Sequence, residues 1–140
     1  MEDPINLLSI GQSANKSKLI TKDDVIKFSQ ISGDFNPIHF DDIFAGKSIF
    51  KKPIAHGFIS ASLFSGIFGT QLPGKGSLYI SQNLKFPNPV FIGDQIKAEV
   101  KITEINTKRR WIYFSSNCIN EETKKYVVKG EAVIYLLPIN

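Results

Sequence analysis

Apolar and polar positions divide the chain into a helical first half and an alternating second half. The helical half centres on residues 54–69. From Gly57 to Gly69 there is no charge and no proline, and Phe58, Ile59, Leu63, Phe64, Ile67 and Phe68 occupy more than one helical face. That pattern predicts a helix buried nearly all round. Fourteen residues from His56 reach about 21 Å at the helical rise, whereas a membrane span needs about 20 apolar residues. The small residues Gly57, Ala61, Ser65 and Gly66 allow another backbone to come close. Upstream, Thr21-Lys-Asp-Asp24 predicts a helix start, with a threonine cap and an acidic residue three positions on. This helix carries Val25, Phe28 and Ile31 on one face and stops at Gly33. Pro37 forces Asn36 out of helical conformation, and Asp41 is placed to cap a short helix through Ala45. Residues 1–16 are poorly patterned, and Ser17 to Ile20 reads as a short edge strand.

After Gly69 the period changes to two. Leu78, Ile80, Gln82, Leu84 and Phe86 alternate with Tyr79, Ser81, Asn83 and Lys85, up to Pro87 and Pro89. Ile96, Ala98, Val100 and Ile102 alternate with Lys97, Glu99 and Lys101 in the clearest half-buried strand. Two further strands are predicted over Trp111 to Ile119 and Tyr126 to Leu137. Helices first and antiparallel strands second argue an α+β fold rather than alternating βαβ units. The 140 residues, 42% of them hydrophobic, suffice for one domain with one core.

Charge adds little direction. The net charge of +4 comes from scattered lysines and arginines, too diffuse to specify nucleic acid. The opening Met-Glu-Asp-Pro lacks the basic, apolar and small-residue series of a secretory signal, so a cytoplasmic protein is expected, with no membrane attachment. A single cysteine, Cys118, excludes an intrachain disulfide and reads as a core thiol; no Cys/His cluster has zinc-ligand spacing, so no metal is expected.

The candidate chemistry lies in two short stretches. Asp34, Asn36 and His39 place three polar groups within six residues around Pro37. Ordinary turn chemistry explains them; so does an acid/base pair held on a stiff loop, since histidine exchanges protons near neutral pH. His56-Gly57 then opens the apolar helix. A helix N-terminus offers free N–H groups and partial positive charge to a developing oxyanion, and a glycine there permits close approach. Taken alone, a plain helix start and a structural histidine account for these two residues as well.

The order of the blocks goes further. Ser32-Gly-Asp-Phe-Asn-Pro-Ile-His39, then Pro53-Ile-Ala-His-Gly57 and the small-residue helix, resembles the hydratase-2 motif of MaoC-like (R)-specific enoyl-CoA hydratases. The resemblance continues through Leu72-Pro-Gly-Lys-Gly-Ser77, Val90-Phe-Ile-Gly-Asp94 and Gly130-Glu-Ala-Val133. Similar short single-domain proteins supply (R)-3-hydroxyacyl-CoA for polyhydroxyalkanoate synthesis. The resemblance implies a hotdog fold, an antiparallel sheet wrapped round a long central helix, assembled as a homodimer. It implies Asp34 and His39 as the catalytic pair, the Gly57 N–H as oxyanion donor, and Asn36 and Ser65 as substrate-site residues. The implied reaction is reversible syn hydration of trans-2-enoyl-CoA, needing no cofactor beyond the coenzyme A of the acyl-CoA substrate. Lys51, Lys52, Lys75 and Arg109 are candidates for its phosphates. Phe64, Ile67 and Phe68 are expected to fill an acyl tunnel early, limiting chains to roughly four to six carbons. A hotdog acyl-CoA thioesterase and a non-catalytic acyl-thioester-binding subunit are the alternatives.

Overall fold

The computed structural model describes residues 2–138. Five strands, β1 (Ser13–Leu19), β2 (Ser77–Lys85), β3 (Gln95–Asn106), β4 (Trp111–Asn120) and β5 (Tyr126–Leu136), form one sheet. Their order is β1-β3-β4-β5-β2, with every pairing antiparallel. Three helices, α1 (Lys22–Ser32), α2 (Asp42–Gly46) and α3 (Gly57–Thr70), precede the four-stranded run, and α3 lies against all five strands.

The core follows from alternation and register. On β3 and β4 the residues facing α3 stand opposite one another, Ala98 with Cys118, Val100 with Ser116 and Ile102 with Phe114. These six side chains are buried together, and Phe64, Ile67 and Phe68 of α3 fill the space over them. The rings of Phe68 and Phe114 lie 4.7 Å apart, close enough for the tilted contact that aromatic pairs favour. Burial pushes the Cys118 thiol up to about 12, which makes it a core group, not a nucleophile.

The helix ends are built as their sequences require. Thr21 Oγ1 accepts from Asp24 N–H (3.1 Å) while Asp24 Oδ2 accepts from Thr21 N–H (2.9 Å), a reciprocal capping box. Gly33 ends α1 at φ 77°, a left-handed conformation that glycine takes without strain.

Four expectations need correction. The strand expected from Ser17 starts at Ser13, after a 3₁₀ turn at Pro4–Leu7; β1 is almost wholly polar and exposed, and only its pairing with β3 makes it a strand. On α1, Ser29 rather than Ile31 joins Val25 inside, and Ile31 is 85% exposed. Six positions beyond Val25, at 3.6 residues per turn, it points about 120° away. On α3, burial is not all round: Phe58, Ser62, Ser65 and Gly69 form an exposed stripe. Finally, β2 is an edge strand whose register shifts between Tyr79 and Ser81, so Leu78, Tyr79 and Ile80 are all left about half-exposed.

Candidate active site

The site is built where the Asp34–His39 turn meets the start of α3. The turn is stiffened by its own side chains. Asp34 Oδ1 accepts from Asn36 N–H at 3.1 Å, and Asn36 Oδ1 accepts from Ile38 N–H at 3.2 Å, two Asx turns in succession. Pro37 then opens a 3₁₀ turn, Pro37–His39, that carries His39 inward. The turn reading is thus found, and it leaves room for the acid/base reading, because turn formation uses one oxygen of Asp34 and leaves the other without a hydrogen bond among the described residues.

That second oxygen, Oδ2, lies 3.9 Å from Nε2 of His39 and 3.8 Å from Nε2 of His56. His39 is buried, and its Nδ1–H donates to the carbonyl of Ile54 at 2.7 Å. This hydrogen bond fixes the tautomer, so the lone pair of His39 is on Nε2, facing the carboxylate. The two imidazole rings stack with centroids 3.7 Å apart. Burial of His56, reinforced by the adjacent His39, lowers its pKa below the ordinary histidine value, with the Asp34 carbonyl opposing. His56 is thus a member of the cluster, one the sequence reading left as a structural histidine. Its partners are 22 and 27 residues away, and the available signal was a polar ring at the mouth of an otherwise apolar helix.

Gly57 follows directly as the first residue of α3. Its N–H has no acceptor among the described residues, as expected for a first-turn amide. A Cβ at this position would lie 2.6 Å from the Phe86 ring, so the glycine accommodates the close approach of the segment just past β2. A cleft of about 320 Å³ runs past Gly57, Phe58 and Phe86 to Val127. A second, of about 300 Å³, reaches His39 and is bordered by Lys22 and Lys52. Of the four cations named from sequence, only Lys52 borders these clefts; Arg109 stacks on Trp111 at the β3–β4 hairpin, 3.8 Å from its ring centre.

A third groove, of about 550 Å³, runs along the exposed stripe of α3 and is lined by Phe58, Ser62, Ser65, Tyr79 and Gln82 among others. Ser65 therefore lines an open groove. Phe64 and Phe68 do not. Both point into the core, at 0% and 2% exposure, and Phe68 stands behind Tyr79 with its ring edge-on at 5.3 Å. The expected role of these two in limiting chain length is corrected accordingly, because α3 turns them toward the sheet.

Asp34, His39 and His56 offer donor atoms within 4.8 Å of one another. As a metal set they fit poorly, since Nε2 of His56 lies 3.1 Å from the Asp34 carbonyl, which only accepts, and so carries a proton. Two free donors, His39 Nε2 and Asp34 Oδ2, then remain, an arrangement suited to holding a water and exchanging its proton.

The chain is similar to known proteins in both sequence and fold. The chain is 43% identical over 129 residues to an (R)-specific enoyl-CoA hydratase of Aeromonas caviae, covering 92% of this chain and 96% of that one. It is 40% identical to an (R)-specific enoyl-CoA hydratase of Rhodospirillum rubrum, with 89% and 85% covered. Among solved structures, the (R)-hydratase from A. caviae involved in PHA biosynthesis superposes with a TM-score of 0.89 at 42% identity, over 93% of this chain and 98% of that one. The hotdog architecture expected from the sequence is the one found. With residues 8–123 matching the MaoC-like domain model, and the Asp34–His39 turn seated at the start of its central helix, the chain belongs to the MaoC-like family.

Proposed function

We propose that the protein catalyses the reversible hydration of trans-2-enoyl-CoA to (R)-3-hydroxyacyl-CoA. The observation that carries this reading is the 3.9 Å gap between His39 Nε2 and Asp34 Oδ2, beside an unused N–H at the start of α3. One water at about 2.8 Å from each acceptor fits across such a gap. Conjugation with the thioester carbonyl makes C3 of the enoyl group electrophilic, and attack by water builds negative charge on the carbonyl oxygen. Gly57 N–H stabilises that charge, supported by the dipole of the fourteen-residue helix α3. The oxygen of water bonds to C3, the Asp34–His39 pair takes up its proton, and the same pair returns a proton to C2 from the same face. No cofactor enters beyond the coenzyme A carried by the substrate.

Asn36 serves by holding the turn, Ser65 by lining the acyl groove, and Lys22 and Lys52 by meeting the phosphates of coenzyme A. The reading carries a homodimer, in which the outer edge of β2, with its half-exposed Leu78, Tyr79 and Ile80, is covered by a second copy. It also carries a cytoplasmic location; no helix among the described residues is long and apolar enough to cross a membrane. A spectrophotometric assay on crotonyl-CoA with chiral analysis of the product tests the proposal. Loss of enoyl absorbance with (R)-3-hydroxybutyryl-CoA formed and no free thiol is expected. Release of free thiol from saturated acyl-CoA, without hydration, overturns it in favour of a thioesterase. Sedimentation at micromolar concentration tests the assembly, which a monomer would contradict.

A further inference from the structure

We propose that His56 is a positioning residue of the hydration reaction: its Nε2–H ties the Asp34 turn to the helix layer, and its ring is the seat on which His39 stacks. The proposal rests on the hydratase reading above.

Hydrogen-bond direction fixes the state of the ring. The Asp34 carbonyl, 3.1 Å from Nε2, only accepts, so that nitrogen bears hydrogen. The hydroxyl of Ser29, fully buried on α1, takes a second share of it at 3.2 Å. The lone pair is then on Nδ1, which is buried and has no partner among the described residues. A further proton there would be an unpaired buried charge, stacked 3.7 Å from the other imidazole. The groups around the ring are Asp34, His39 and Phe40 from the turn region and Phe28 and Ser29 from α1, so Asp34 is the only acidic neighbour among the described residues, and its Oδ2 is 3.8 Å away. A neutral ring lets His39 gain and lose a proton during turnover without a fixed positive charge pressed against it.

The segment Ile54–Gly57 thereby acts as a base plate. Ile54 O holds Nδ1 of His39, His56 holds Asp34, and Gly57 presents the free N–H. Three groups that meet one substrate are referred to four consecutive residues, although Asp34 and His39 come from a separate loop.

Two substitutions separate the parts of this role. His56→Phe keeps a ring for stacking and removes the N–H; His56→Gln keeps an N–H donor and removes the ring. With crotonyl-CoA, His56→Phe is expected to lower kcat about 10- to 100-fold with KM within about twofold, the scale on which misplaced reacting groups act. His56→Gln is expected to recover part of that loss. A role in stability alone predicts lower melting temperatures with kcat and KM of the folded fraction unchanged in both, and that result overturns the proposal. A second measurement needs no variant. The chain has two histidines, so ring nitrogen-15 NMR of the parent protein assigns both tautomers. The expected spectrum has His56 neutral and hydrogen-bearing at Nε2 near pH 6.5, the ordinary histidine value. A His56 ring that is protonated there, or carries its hydrogen at Nδ1, overturns the proposal. An inactive parent enzyme would instead refute the hydratase reading, while the NMR result still decides the state of His56.

Discussion

Asp34→Asn separates the two duties of the aspartate, because the structure divides them between its oxygens. Oδ1 accepts from Asn36 N–H at 3.1 Å and shapes the turn; Oδ2 makes no hydrogen bond among the described residues and faces His39. An asparagine keeps its carbonyl oxygen on Asn36 N–H and places an NH₂ where Oδ2 was. The turn survives, so stability should change by no more than about 0.5 kcal/mol, the usual range for an exposed substitution that breaks nothing. The acceptor for water has become a donor, however, and half of the base pair is gone. A positioned acid/base group contributes about 10² to 10⁴ in rate, equivalent to about 3 to 5 kcal/mol of barrier at 1.36 kcal/mol per decade. His39→Ala should cost a similar factor, and the double variant should be only slightly worse than the poorer single one, since groups that act on one water are non-additive. Initial rates on crotonyl-CoA and denaturant unfolding of the same three proteins make the test. A folded Asp34→Asn protein with kcat within about twofold of the parent would refute the reasoning, for it would mean that Oδ2 takes no part in the chemistry.

Phe68→Ala should destabilise the fold by about 3 to 5 kcal/mol, as truncation of a buried aromatic does, and leave the preference for acyl length unchanged; unfolding curves and a series of enoyl-CoA chain lengths check both halves. Cys118, buried and with its thiol pKa raised to about 12, should resist alkylation at pH 8 in the native protein and react fully in denaturant, as read by mass spectrometry. The Arg110 guanidinium, 2.6 Å from Asp3 Oδ2, holds the Asp3 carboxyl below its ordinary value of 3.8. Its stabilising effect is therefore complete above 3.8 and is lost as the pH falls through the lower, folded value. The melting difference between the parent and Asp3→Asn should accordingly be present at neutral pH and shrink in strong acid; a difference that is independent of pH would show that the ion pair is not its source.

What was legible in the sequence was local. The Thr21–Asp24 box, the stop at Gly33, the bend at Pro37 and the alternation of β3 each depend on neighbours within a few residues, and each is found where the pattern puts it. What was hidden depends on which face the rest of the chain covers. Ile31 is as apolar as Val25 but nothing packs over it; Ser29, a polar residue at helical spacing from Val25, is inside because His56 waits there to meet its hydroxyl. Phe64, Phe68 and Ser65 could not be sorted into core and groove from an all-apolar helix whose pattern favours no face. Asp34, His39 and Gly57 were singled out as candidates only through the order of motif blocks, since turn chemistry alone would have explained the same residues.

The contact between Gly57 and Phe86 makes two distant positions a single unit of variation. A side chain at 57 meets the aromatic ring of Phe86, just past β2, at 2.6 Å, so a change at the first position needs a smaller or displaced ring at the second. The helix start and the segment after β2 are thus coupled: a side chain at 57 requires the half-exposed Phe86 ring to turn aside, and a smaller residue at 86 would relieve that demand.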